Sequence, residues 1–185
     1  MTEPESSVER QAMADLLAKQ ACAEVVLRLA RGLDRCDAAL IRGAFHDDAT
    51  DDHGQFKGTA DEFVPWVLAA LRTMERTQHM IGNVLVEVAG DRAWAESYYI
   101  ANHDLAGPAG EPLRYTAAGR YLDRFERRDG RWLIAHRLCV SDWCATSPRT
   151  DTWDRTAGPR LYGERGPGDP VYSNGMAGAL ERIER

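Results

Sequence analysis

The chain has 185 residues, 44% of them hydrophobic and 28% charged, with a formal net charge of −6. This is the composition of one globular domain with a real core, too short for two. The acidic balance excludes the basic face that nucleic acid or an anionic membrane requires, and no run approaches the ~20 apolar residues of a membrane span.

Met1 to Ser7 is polar and acidic and does not read as a leader. A long helix follows from Ser7 to about Leu33, where Met13, Leu17, Ala21, Val25, Leu29 and Leu33 recur every four residues, with no Pro or Gly before Gly32. Asp37 is placed to cap a short helix through Ala38–Ile41. The polar stretch His46–Gly54 is read as a solvated knot ending in a turn at Gly54. Thr59 and Glu62 fit a capping box that opens a second long helix with the stripe Phe63, Val67, Leu71 and Met74. Pro65 means that this helix either kinks or becomes regular only from there.

After Arg76 the apolar period changes to two. Four strands are predicted, roughly 78–88, 92–105, 113–127 and 131–143, joined by short Gly-bearing turns of the antiparallel hairpin type. Helices followed by a long antiparallel meander give an α+β domain, with helices on one face of a curved sheet. The first long strand is read with Met80, Val84, Val86 and Val88 on one face, and Ile81 and Leu85 on the other. A second subunit is the expected cover for the face that the helices leave open. Residues 1–147 form the domain. Residues 148–185, rich in Gly, Pro and Arg, read as an extended tail whose Trp153, Leu161, Tyr162, Val171 and Tyr172 pack on that domain or on a neighbouring subunit.

Four residue groups could carry chemistry. His79 heads the first long strand, 45 positions after Asp34 near the end of the first helix. An anion at a helix C-terminus is disfavoured by roughly 0.3–1 kcal/mol, and Asp37 already fits the capping role. An imidazole held by such a carboxylate is the minimum apparatus for moving a proton at neutral pH. His103 shares a strand face with Ser97, Tyr99 and Ala101, a polar cluster that suggests a lined cavity. His46 and His136 read as structural or surface residues, and His53 as the exposed edge of a turn. The acidic run around His46 and His53 lacks any zinc or calcium spacing, so no metal is expected. Nucleotide and serine-hydrolase motifs are absent, and the four cysteines (Cys22, Cys36, Cys139, Cys144) lack Cys-x-x-Cys spacing, as expected of reduced thiols in a cytoplasm.

Three segments carry a family resemblance over roughly Ala14–Trp143. They are Gly32-Leu33-Asp34-Arg35-Cys36-Asp37, Thr77-Gln78-His79-Met80-Ile81-Gly82, and Tyr121 to Trp132 with its central Asp123-Arg124-Phe125-Glu126. The chain resembles the SnoaL-like branch of the nuclear-transport-factor-two-like superfamily, which includes scytalone dehydratase and hexachlorocyclohexane dehydrochlorinase. The resemblance implies a cone-shaped curved antiparallel sheet closed by the N-terminal helices, a cystatin-like α+β barrel. It also implies a catalytic dyad, Asp34 and His79, inside the cone. His53 takes the place of a pocket tyrosine and His103 falls near a pocket histidine, while Gly119 and Tyr121 fall near two polar pocket positions. Trp66 and Tyr99, with Leu71 or Tyr98, would line a mostly apolar pocket. Leu33 stands where scytalone dehydratase has a second tyrosine, which argues against an identical substrate.

The expected protein is a cofactor-independent dehydratase-like lyase acting on a small, mostly apolar and cyclic molecule, and forming a homodimer or homotrimer without nucleic-acid or membrane partners. Two alternatives use the same residues: an isomerase or dehydrohalogenase with this dyad, and a non-catalytic ligand-binding subunit.

Overall fold

The computed structural model describes residues 6–151 and 161–173. Helix α1 runs Ser7–Arg35 behind a capping box made by Ser6 and Glu9, and stops where Cys36 turns left-handed at φ 51°. Asp37 caps α2, Ala38–Arg42, through the Leu40 amide. Thr59 and Glu62 form the expected box at the head of α3, Ala60–Arg72, which passes through Pro65 without ending there. Met13, at the start of the expected α1 stripe, and Leu17 are exposed, whereas Val25, Leu29 and Leu33 are buried. Only the second half of the helix therefore meets the core.

The predicted strands are present as β3 Arg76–Ala89, β4 Arg92–Ala106, β5 Pro112–Arg128 and β6 Arg131–Pro148. Of two further strands, β1 Phe45–Asp52 occupies most of the segment expected to be a solvated knot, and β2 Lys57–Thr59 follows it. The six make one open sheet in the order β2-β1-β6-β5-β4-β3. Every pairing is antiparallel except β1 with β6, which is parallel, so the sheet is mixed rather than wholly antiparallel. Its edges do not meet. The architecture is the cone-like α+β fold, with α1 lying mainly on β3 and α3 on β1.

A β-bulge between Ile81 and Val84 corrects the expected faces of β3. The extra residue at Gly82-Asn83 swaps parity, so Ile81 joins Val84, Val86 and Val88 on the helix side. Met80 and Leu85 are instead turned outward, 61% and 62% exposed. With Trp94, Tyr98, Ile100 and Trp143 they form an exposed apolar outer face.

The core lies between the helices and the inner face, around Val26, Leu29, Ile41, Phe45, Phe63, Phe125 and Ile134. Near its end toward the site, Arg137 is almost fully buried and forks onto Asp123, Nε to Oδ1 and Nη2 to Oδ2, both at 2.7 Å. Beyond β6 the described stretch 161–173 returns to the domain. Arg165 donates to the Leu71 and Met74 carbonyls at the end of α3, and the Tyr172 hydroxyl donates to Asp37 Oδ2 at 2.7 Å. Leu161 is exposed, and Trp153 lies outside the described residues.

Candidate functional site

Asp34 sits in the last turn of α1 with its carboxylate aimed at the start of β3. Both oxygens accept from the His79 backbone N–H at 3.0 Å. Oδ1 also accepts from His79 Nδ1 at 2.7 Å. These charge-assisted bonds offset the unfavourable helix end. A carboxylate can only accept, so it holds the imidazole as the Nδ1–H tautomer and leaves Nε2 the basic nitrogen. Both side chains are largely buried, 7% exposed for His79 and 11% for Asp34.

His103, on β4, meets the His79 ring edge-on with centroids 5.5 Å apart. Burial, reinforced by the neighbouring His79, pushes its pKa down to about 4, so it is a neutral imidazole near pH 7. Its Nδ1 is buried with no partner among the described residues, as are Thr77 Oγ1, Ser97 Oγ and Asp51 Oδ2. In the register, Thr77 lies opposite His103, and Ser97 opposite Tyr121. Buried polar atoms without protein partners are sites at which a polar ligand can be hydrogen-bonded.

Tyr99 and Tyr121 stack at 4.4 Å between centroids, their planes 17° apart. The Arg137 guanidinium lies 4.1 Å from the Tyr121 ring centroid. Burial holds both phenols well above the ordinary tyrosine range, so they stay protonated donors. Tyr98, the alternative considered beside Tyr99, points outward. Gly119 sits at the β5–β6 bulge, where an added Cβ would fall 2.0 Å from the Val140 carbonyl oxygen. Its role is therefore close approach of backbones, not a polar contact.

His53 is not an exposed turn residue. It stacks on Phe63 at 5.0 Å, with Trp66 at 6.3 Å and Tyr121 at 6.1 Å. Its Nδ1 is hydrogen-bonded to Asp51 Oδ1. His46 is buried, with Nε2 2.9 Å from the Glu126 carbonyl; His136 bonds Thr50 Oγ1 at 2.8 Å. Both are structural.

The structure thus gathers the expected residues around two centres, Asp34–His79 with His103, and His53 with Trp66 and Tyr121, linked by the Tyr99–Tyr121 stack. It adds Asp51, which the sequence hides inside an acidic run. An open cavity of about 790 Å³ lies against Asp34 and Thr77 and is lined by Arg76, Asp104, Arg114 and Arg149, whereas His79, His103, Tyr99 and Tyr121 do not line it. Among the described residues no three His, Cys, Asp or Glu side chains converge as a metal-ligand set. No described helix is long and apolar enough to cross a membrane.

Fold and site together define a cone-like α+β protein with a polar cluster on the helix-covered face of its sheet. The chain belongs to the SnoaL-like domain family, whose model matches residues 14–138, within the nuclear-transport-factor-two-like superfamily. Solved structures agree on the fold. A candidate scytalone dehydratase from Novosphingobium aromaticivorans is 20% identical with a TM-score of 0.63, covering 80% of this chain and 97% of that one. The hexachlorocyclohexane dehydrochlorinase LinA-type3 from Novosphingobium barchaimii is 17% identical with a TM-score of 0.62, covering 71% and 91%. A protein of unknown function from Mycobacterium tuberculosis is 26% identical with a TM-score of 0.57, covering 74% and 76%. None of the curated proteins compared with the chain matches it.

Proposed function

We propose that the protein is a cofactor-independent lyase that removes a proton next to a carbonyl and eliminates water from a small cyclic substrate. The observation that carries this reading is the Asp34–His79 pair, with Nδ1 held at 2.7 Å and Nε2 left basic. Neutral His79 takes the proton through Nε2. Asp34 keeps the ring in that tautomer and stabilises the imidazolium that forms. The electron pair of the broken C–H bond passes into an enolate, and the β C–O bond then breaks. The departing oxygen takes up a proton, in the simplest case the one now on His79 Nε2, and leaves as water, which returns the enzyme to its starting state.

A positioned base supplies roughly 10²–10⁴-fold, so polarisation of the carbonyl must supply much of the rest. His53, neutral His103 and the protonated phenol of Tyr121 are the candidate donors for it, since the Tyr99 hydroxyl is already 3.4 Å from Cys139 Sγ. Membership of a family whose solved relatives include a dehydrochlorinase and a candidate dehydratase supports the reading. The dyad itself does not dictate the leaving group.

The test is turnover of a panel of cyclic β-hydroxy ketones, beginning with 3-hydroxycyclohexanone, by wild type, His79→Ala and Asp34→Asn. Both variants are expected to lose about 10²–10⁴-fold. Undiminished turnover in both would overturn the dyad assignment, and ligand binding without turnover in wild type would favour a binding subunit.

A further inference from the structure

We propose that Asp51 and His53 form a second proton-handling pair serving the same inner face, so that the base and the acid of the elimination are separate imidazoles. This deepens the reading above and rests on it.

The starting point is a carboxylate in an expensive place. Asp51 is 1% exposed, and an ionised carboxylate at that depth costs several kcal/mol unless it is compensated. The parallel register sets it opposite Arg137, whose charge acts on it across the strands, but the Arg137 fork is taken by Asp123. Asp51 has one side-chain partner among the described residues, the Nδ1 of His53 two positions along, and its Oδ2 has none. An apolar residue at position 51 would serve the core at least as well. What the carboxylate does there is orient an imidazole.

The orientation repeats that of His79. The carboxylate accepts, so His53 carries its proton on Nδ1, and no described residue hydrogen-bonds its Nε2. Ring stacking on Phe63 fixes the plane of the imidazole. A histidine caught merely by a surface aspartate would have neither the buried partner nor the stacked ring.

The two pairs flank one wall. His79 is on β3 at one edge of the sheet, and His53 follows β1 near the other, with β6, β5 and β4 between them. On the inner face of that span lie Tyr121, 6.1 Å from His53, and Tyr99, stacked on Tyr121. Tyr99 lies opposite Ile81, two residues from His79. Each tyrosine gives one face to the other, and Arg137 covers the second face of Tyr121, so a ring would meet their edges, with one imidazole toward each side.

The chemistry balances with these two groups alone. His79 Nε2 takes the proton from the carbon beside the carbonyl to leave an enolate, whose electrons form the new C=C bond when the β C–O bond breaks. The departing oxygen takes a proton from Nε2 of protonated His53 and leaves as water. His79 is left protonated and His53 neutral, and exchange of one proton each with solvent restores both.

The test separates the two half-reactions, using 3-hydroxycyclohexanone in D₂O followed by ¹H NMR. Exchange of the proton beside the carbonyl needs only the base, whereas enone formation needs base and acid. His53→Gln should keep exchange within about threefold of wild type and lose about 10²-fold or more in elimination. Asp51→Asn should lose elimination selectively in the same way, and His79→Ala should lose both. His53→Gln that keeps both reactions, or loses both equally, overturns the second pair while leaving His79 as base. His79→Ala that keeps both overturns the base assignment instead. Wild type that neither exchanges nor eliminates overturns the two together. The intact protein gives a further check that needs no variant: ¹H–¹⁵N correlation of the imidazoles should find neutral His53 as the Nδ1–H tautomer, and a neutral ring protonated on Nε2 alone would overturn the proposal.

Discussion

His103 offers a test of the site that needs no substrate. Its imidazole is 8% exposed, and its pKa is pushed from the ordinary 6.5 down to about 4, first by burial and then by the neighbouring His79. The unfolded chain binds the His103 proton below pH 6.5, and the folded chain only below about 4. Between those values the unfolded state holds more protons, so the stability slope with pH is positive. Stability is thus lost as pH falls from 6.5 to about 4, and the loss levels off below. At about 1.4 kcal/mol per pH unit, the loss attributable to this group reaches about 3 kcal/mol. His103→Gln removes the titration and keeps a polar side chain in the space. Urea denaturation of both proteins at intervals from pH 7 to 4 gives two stability curves, and their difference isolates His103 from the other acid-sensitive groups. The curves should converge by about 3 kcal/mol across this window, with wild type losing more. Parallel curves would refute the claim that the ring is held neutral beside His79.

Two packing predictions follow from features equally independent of substrate. Arg137→Met leaves Asp123 buried without its fork, and thermal or urea denaturation should show a loss of about 3–5 kcal/mol. Gly119→Ala forces a methyl against the Val140 carbonyl oxygen, 2.0 Å from the added carbon. The backbones of β5 and β6 must separate at their bulge, with a loss of about 1–3 kcal/mol or more in the same assay; an unchanged midpoint would show that the bulge can slide.

The helices were readable from a four-residue apolar period in α1, from the cap Asp37 in α2, and from both signals in α3, where Thr59 and Glu62 precede the stripe. The long strands were readable from alternation and Gly-bearing turns. Strand β1 was not, because the side chains that it buries after Phe45 and His46 are only Ala49 and Asp51, and its pairing with β6 shifts register between Phe45 and Thr50. A strand whose inward residues are an alanine and an aspartate has no apolar period to detect. The faces of β3 were misassigned for a related reason: alternation predicts a face only until a bulge inserts a residue, and Gly82-Asn83 looks like any other polar pair. Asp34 and His79 stood out individually, but their contact is made by α1 packing on β3, and the chain alone indicated it only through the resemblance. Asp51 had no signal at all, since what buries it is a parallel partner strand some 85 residues away.

The buried aspartates divide by partner in a way that bears on function. Among the described residues five are nearly inaccessible: Asp34, Asp51, Asp104, Asp123 and Asp169. Asp123 is held by Arg137, Asp104 by Arg76 and Arg114, and Asp169 has Arg35 at 3.4 Å. An arginine keeps its charge at every pH a protein meets, so these three are neutralised permanently, as structural burial of a carboxylate requires. Asp34 and Asp51 hydrogen-bond imidazoles instead, although Arg137 also faces Asp51 from the neighbouring strand. For structure alone an imidazole is the weaker hydrogen-bonding partner, because it need not carry a charge. It is the better choice where a proton must be gained and lost at the ring's other nitrogen, and in both cases that nitrogen has no partner among the described residues. The division between arginine and histidine partners therefore separates carboxylates that hold the fold from carboxylates that hold a proton carrier.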